Sequence, residues 1–137
     1  MRVSRKDGKL EALKAVPLLS GLSRSQLSEV GQIADELDVP AGKTLIAEGA
    51  SGRQFFVLLE GQAEVRRGRR KVNTLGAGDF FGEISLLSKR PATATVTTTV
   101  PGRVVVITSR DFSRLLGTSP EIQLKVLQAL AERVPFA

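Results

Sequence analysis

Turn-forming residues punctuate the centre of this sequence at intervals of roughly 8 to 12 residues, the spacing of short antiparallel strands in a sandwich or barrel. They are Pro40-Ala41-Gly42, Gly49 to Gly52, Glu60-Gly61, Gly68, Gly76-Ala77-Gly78 and Pro101-Gly102. No helix survives so many breaks. The stretches between them are β-prone. Phe55-Phe56-Val57-Leu58-Leu59 reads as a strand buried on both faces. From Thr93 to Val100 the pattern has a period of two. Ala94, Val96, Thr98 and Val100 form one face, and Thr93, Thr95, Thr97 and Thr99 a hydroxyl face. Val104 to Ile107 follows Pro101-Gly102, which predicts a hairpin there. Arg67-Gly68-Arg69 predicts the tip of another, between Gln62–Arg66 and Lys71–Thr74.

Helical patterns flank this block. Leu10, Leu13 and Val16 repeat at helical spacing until Pro17. Ser23 suits the N-cap of a second helix with the apolar stripe Leu27, Val30, Ile33, Ala34 and Leu37. After the strands, Ser109 opens a helix with Phe112, Leu115 and Leu116 facing inward, and Gly117 is its expected stop. Ser119-Pro120-Glu121 reads as N-cap, N1 and N2 of a final helix. Its stripe is Ile122, Val126, Leu127, Leu130 and Val134, suited to a lid, a dimer seam or plain core. The expected organisation is one domain over 1–137, with helices over 1–36, a β-barrel over 37–108 and helices over 109–137. A chain of 137 residues is long enough for one core.

Composition removes several kinds of chemistry. The chain has neither His nor Cys. Serine–histidine and cysteine–histidine catalysis are thereby excluded, and zinc, haem and iron–sulfur centres lack their usual ligands. No paired carboxylates stand near the informative glycines, so no enzyme activity, no metal and no cofactor are expected. No apolar run approaches the roughly 18 to 20 residues of a membrane span, and no secretory signal is legible, which makes the cytoplasm the expected location. Net charge is +6, from 20 Lys and Arg against 14 Asp and Glu. Arg66, Arg67, Arg69, Arg70 and Lys71 supply most of that excess. Such a cluster suits an anionic partner, nucleic acid or a phospholipid surface, but a solvated hairpin tip is the simpler reading.

The informative segment runs from Gly76 to Val96. A glycine turn leads into Phe80-Phe81, then Gly82-Glu83, then the short apolar run Ile84 to Leu87, then the threonine-rich strand. Backbone N–H groups at the start of a short turn can hold a phosphate. An adjacent carboxylate can accept hydrogen bonds from sugar hydroxyls. Phe81-Gly82-Glu83-Ile84-Ser85-Leu86-Leu87, then Pro91, then Ala94-Thr95-Val96, resembles the phosphate-binding cassette of the cyclic nucleotide-binding domain family. That family includes the regulatory subunits of cyclic-AMP-dependent protein kinase, catabolite-activator-type regulators and gated channels. Glu48-Gly49, Phe55 to Leu58, Glu60-Gly61, Ala63-Glu64-Val65 and Gly78-Asp79-Phe80 resemble its barrel signature. Val16 to Leu19 and Gly21-Leu22-Ser23 resemble the family's entry to its first helix.

The resemblance implies a mainly β fold with flanking helices (α+β): an eight-stranded antiparallel jelly-roll barrel, N-terminal helices and a C-terminal helix pair. It implies a ligand, cyclic AMP or cyclic GMP, between barrel and cassette. Glu83 would hold the ribose 2′-hydroxyl. The backbone amides of Gly82, Glu83, Ile84 and Ser85 would approach the ribose and the cyclic phosphate. The final helix, residues 120 to 134, would close over the base. The sequence departs from the family at one position. Where the cassette has an arginine after its proline, this chain has Ala92, and Arg90 stands on the far side of Pro91. Losing a charge-assisted hydrogen bond costs about 1.5 to 3 kcal/mol, roughly 10- to 150-fold in affinity. Thr93 falls where cyclic-GMP-preferring members carry a threonine. The expected function is a sensor that binds a cyclic nucleotide and signals through its C-terminal helix to a protein partner. Nucleic acid is not an expected partner, and the final helix's stripe would also suit a homodimer. The alternative is a degenerate domain that keeps the barrel as an interaction scaffold.

Overall fold

Alternating and doubly apolar runs sort the central strands into two sheets that share one interior. In this computed structural model the described residues are 13–14, 19, 22–51, 54–82 and 90–133. Helix α1 is Arg24–Ile33, followed by strands β1 (Asp35–Val39), β2 (Thr44–Ile46), β3 (Gln54–Glu60), β4 (Gln62–Arg67), β5 (Arg70–Gly76), β6 (Phe80–Phe81), β7 (Thr95–Thr98) and β8 (Gly102–Thr108), then helices α2 (Ser109–Thr118) and α3 (Pro120–Arg133). One sheet has the order β1-β8-β3-β6 and the other β2-β7-β4-β5, with every neighbour antiparallel. This is the eight-stranded, mainly β architecture with flanking helices expected above.

The interior lies between the sheets. Val39, Phe56, Leu58, Phe81, Val104 and Val106 from the first sheet pack with Ala63, Leu75 and Val96 from the second. The rings of Phe56 and Phe81 stack with centroids 5.1 Å apart. On the opposite face of β3 and β8, Phe55, Val57, Val105 and Ile107 are buried too. Strands covered on both faces need continuous rather than alternating apolar residues. That is why Phe55 to Leu58 and Val104 to Ile107 read as unbroken runs. Each fully buried Val, Leu or Phe contributes roughly 1.5 to 3 kcal/mol relative to exposure.

By its contacts the chain divides into two units, 34–110 and 1–33 together with 111–137. Within the helical unit Leu13, Leu19, Leu22, Leu27, Val30, Phe112, Leu115 and Ile122 are buried. Helix α1 starts with a reciprocal cap. The Ser23 N–H donates to Gln26 Oε1 at 2.8 Å, and the Gln26 N–H donates to Ser23 Oγ at 3.1 Å. Gln26 Nε2 donates to Glu121 Oε2 at 2.7 Å, joining α1 to the first turn of α3. Ser119 caps α3 as expected, accepting from the Ile122 N–H at 3.4 Å.

Several expectations are corrected. The strands begin at Asp35, not 37, so Leu37 leaves the α1 stripe, sits in β1 and is 49% exposed. Pro101-Gly102 does not close a hairpin, because β7 pairs with β2 and β4 while β8 pairs with β1 and β3. The turn carries the chain from one sheet to the other. There a Cβ on Gly102 would meet Glu60 O at 2.3 Å, and one on Gly61 would meet Gly102 Cα at 3.1 Å. Two backbones pass too closely at this corner for side chains. Val100 is exposed rather than inward. Helix α2 runs through Gly117 to Thr118, whose Oγ1 donates to Arg114 O at 3.1 Å. Leu127 is 57% exposed and lies outside the core. Leu10, Val16 and Pro17 lie outside the described residues, as do Val134 and the side chains of Val126 and Leu130.

Candidate functional site

The segment leading into the site is built by backbone economy. The Gly76 N–H donates to Asp79 Oδ2 at 2.7 Å, and the Gly78 N–H and the Asp79 carbonyl bond to the two sides of Leu58 at 2.7 and 2.8 Å. This tight turn docks on β3 and feeds the two-residue strand β6. Gly82 follows with φ at +93°, and a Cβ there would lie 2.6 Å from Gln54 O. Both left-handed backbone and close approach demand glycine. Glu83, Ile84 and Ser85, expected to contact the ligand, lie outside the described residues.

The chain is described again from Arg90, and its path there is held by the loop after β2. Pro91 bridges Ser51. The Ala92 N–H donates to Ala50 O at 2.8 Å and its carbonyl accepts from the Gly49 N–H at 2.8 Å. Ala92 is thus hydrogen-bonded on both sides, and the residue is 8% exposed. Arg90, Pro91 and Thr93 are exposed. One residue that the sequence reading placed in the barrel signature, without a role, organises this region. The Glu48 N–H donates to Thr95 Oγ1 at 2.9 Å, while Glu48 Oε1 accepts from the Gly68 N–H at 2.8 Å. A lone glutamate in a turn carries no periodic signal, so only the tertiary contacts reveal what it bonds to.

The Gly68 contact brings the basic hairpin alongside. Strands β4 and β5 pair Arg66 with Lys71 and Arg67 with Arg70, and β4 pairs Arg66 with Thr95 of β7. Glu64 sits on the Arg66 face. Arg66 Nε and Nη2 donate to its two oxygens at 2.9 and 3.2 Å, and Lys71 Nζ lies 3.8 Å away. The Arg66 hydrogen bonds hold the Glu64 carboxyl below the usual carboxylate range, with the charges of Arg66 and Lys71 adding to the effect. Arg66 Nη1 also donates to Arg69 O at 3.1 Å. Among the described residues, Arg67, Arg69 and Arg70 form no ion pair with a carboxylate. All three are exposed.

The threonines on both faces of β7 are hydrogen-bonded. Thr95 takes the Glu48 N–H, Thr97 Oγ1 lies 3.4 Å from Thr44 Oγ1, and buried Thr98 donates to Pro40 O at 2.6 Å. Among the described residues no three acidic side chains converge as a metal site would need, and no helix is long and apolar enough to cross a membrane.

Comparison with known proteins agrees with this geometry. The sequence model of the cyclic nucleotide-binding domain matches residues 36–119. A cAMP-dependent protein kinase regulatory subunit from Mycosarcoma maydis is 37% identical over 114 residues, which are 77% of this chain and 22% of that protein. A cyclic nucleotide-gated potassium channel from Rhizobium etli is 34% identical over 123 residues, 90% of this chain and 34% of the channel. A solved PKAR CBD2 with Sp-2Cl-cAMPS bound superposes with a TM-score of 0.77 at 26% identity, covering 94% of this chain and 91% of the other. The chain therefore spans between a fifth and a third of the length of these two curated relatives.

Proposed function

The chain belongs to the cyclic nucleotide-binding domain family, and on that premise we propose that it binds a cyclic nucleotide monophosphate and passes the event to a protein partner through its C-terminal helix. The observation that carries this reading is the frame around the cassette. Gly82 is fixed by its φ of +93° and by Gln54 at one end, and Pro91-Ala92 is pinned to residues 49–51 at the other. Both flanks of the segment that carries Glu83 are thus fixed to the barrel. Glu83 is the residue proposed to hold the ribose hydroxyl, and the amides of Gly82 to Ser85 the groups that approach the phosphate. The kinase regulatory subunits and the channel among its relatives support a regulatory rather than catalytic role.

Ala92 sets the expected strength. A buried methyl group stands where the resemblance calls for a guanidinium. A site that would bind at micromolar levels with that arginine binds roughly 10- to 150-fold more weakly without it. Helix α3, with Leu124 and Leu127 56% and 57% exposed, is the element proposed to carry the signal. A cytoplasmic setting fits this role.

Calorimetric titration of the chain with cyclic AMP and cyclic GMP up to millimolar concentration tests the proposal, with Ala92→Arg run alongside. Binding by the native chain, tightened about 10-fold or more in the variant, is the expected result. Silence from both proteins would sink the sensor reading and leave the barrel as an interaction scaffold.

A further inference from the structure

We propose that Arg67 and Arg70 form an anion-binding pair that engages the phosphate of the bound cyclic nucleotide, supplying the positive charge that Ala92 does not. The inference rests on the cyclic nucleotide reading above. Its basis is the uneven way in which the hairpin satisfies its cations. On one face, Glu64 holds Arg66 by two hydrogen bonds and lies 3.8 Å from Lys71. On the other face, Arg67 and Arg70 stand directly opposite one another in the β4–β5 register. Neither forms an ion pair with a carboxylate among the described residues. Like charges directly opposed across two strands repel and destabilise the pair. An anion placed between two guanidinium groups reverses the sign of that interaction, and the planar fork of arginine suits a phosphate's oxygens.

That face is the one β4 turns to the interior. Side chains alternate along β4, so Arg67 shares the face of Ala63 and Val65, both of which pack into the interior between the sheets. The hairpin end also lies beside the cassette's exit. Arg66 pairs with Thr95, which puts Arg67 next in register toward Ala94. The Gly68 N–H is bound to Glu48, and the next residue, Gly49, holds the carbonyl of Ala92. Two consecutive residues, Glu48 through its side chain and Gly49 through its N–H, therefore bond the hairpin tip and the arginine-less position. Protection of the β5 sheet edge explains basic residues on that strand in general. It does not explain why one face is neutralised and the other is left with two opposed cations.

The test is calorimetric titration of the full chain with cyclic AMP and cyclic GMP, and in parallel with adenosine and guanosine as uncharged probes. The proteins are the native chain, the double variant Arg67→Gln with Arg70→Gln, the turn control Arg69→Gln, the single variant Ala92→Arg, and the double variant carrying Ala92→Arg. Thermal unfolding confirms that each is folded. The expected result is a loss of about 10- to 100-fold in cyclic nucleotide affinity in the double variant. Nucleoside affinity and the Arg69→Gln control stay unchanged, and adding Ala92→Arg restores cyclic nucleotide binding. Equal losses for nucleoside and cyclic nucleotide overturn the proposal, as does an unaffected double variant. If the native chain is silent and only a single Ala92→Arg variant binds, the pocket stands and the arginine pair is refuted. If that variant is silent too, the cyclic nucleotide reading itself falls, and the pair with it.

Discussion

Gly82 holds φ at +93° and leaves no room for a Cβ beside Gln54 O. Gly82→Ala therefore combines left-handed strain with a backbone clash. It should lower stability by about 2 to 3 kcal/mol, read from urea unfolding midpoints. A wild-type midpoint in the variant would show that residues 81–83 relax freely and that the frame is not rigid. Glu64 offers a second single-residue test. Because its folded-state pKa is depressed, chiefly by the Arg66 hydrogen bonds, its interaction with Arg66 is present above the ordinary carboxylate range. It is lost as pH falls through the depressed value. Arg66→Ala should raise the Glu64 midpoint in a carboxyl NMR titration. No movement would mean that the bidentate contact is not populated in solution.

At the scale of elements, two contacts fix strand and helix ends. The reciprocal Ser23–Gln26 cap satisfies two N–H groups at the start of α1, and Ser23→Ala should cost about 1 kcal/mol. Thermal unfolding followed by circular dichroism checks that value. Across β1, β8 and β3, Arg103 pairs with Glu36, Asp38 and Glu60. The Glu36 side chain is only 9% exposed, and its Oε1 is buried with no hydrogen-bond partner among the described residues. Arg103 is its only ion-pair partner among the described residues. Arg103→Leu strands that carboxylate. The cost should be about 2 to 3 kcal/mol, below that of a fully buried pair because Arg103 is a third exposed. Adding Glu36→Leu should recover most of the loss. A double variant no more stable than Arg103→Leu alone would assign the effect to packing instead of charge.

For the whole molecule, binding and stability are linked. A ligand that binds only the folded chain, present at ten times its dissociation constant, adds about 1.4 kcal/mol. Cyclic AMP or cyclic GMP at that ratio should raise the unfolding midpoint by several degrees, and the rise should be larger in Ala92→Arg at equal ligand concentration. An equal shift produced by inorganic phosphate would indicate a general anion effect without nucleotide recognition.

Much was legible in the sequence because its signals are local. Turn glycines, the Ser23 and Ser119 caps, the hairpin tip at Gly68 and the doubly apolar runs of β3 and β8 each act within a few residues. The ordered glycines and the cassette carried the family resemblance, and with it the ligand class and the gap at Ala92. What the sequence could not decide was pairing between distant segments. Pro101-Gly102 looks like a hairpin turn because a Pro-Gly pair reverses the chain equally well within a sheet or between two. Only the hydrogen bonds of β8 to β1 and β3 distinguish those outcomes. Leu37 continues a helical stripe by spacing, yet pairing with Val104 draws it into an edge strand, where ladder hydrogen bonds outweigh the burial of one leucine. Glu48 acquires its role from two partners that no local window contains, the hairpin tip and β7. The amino-acid order by itself determined the element types, the family and the missing arginine. The tertiary structure alone decided which face of the basic hairpin is neutralised and that the hairpin tip bonds to Glu48, the neighbour of the residue that holds Ala92, because such pairing depends on distances set by strand register.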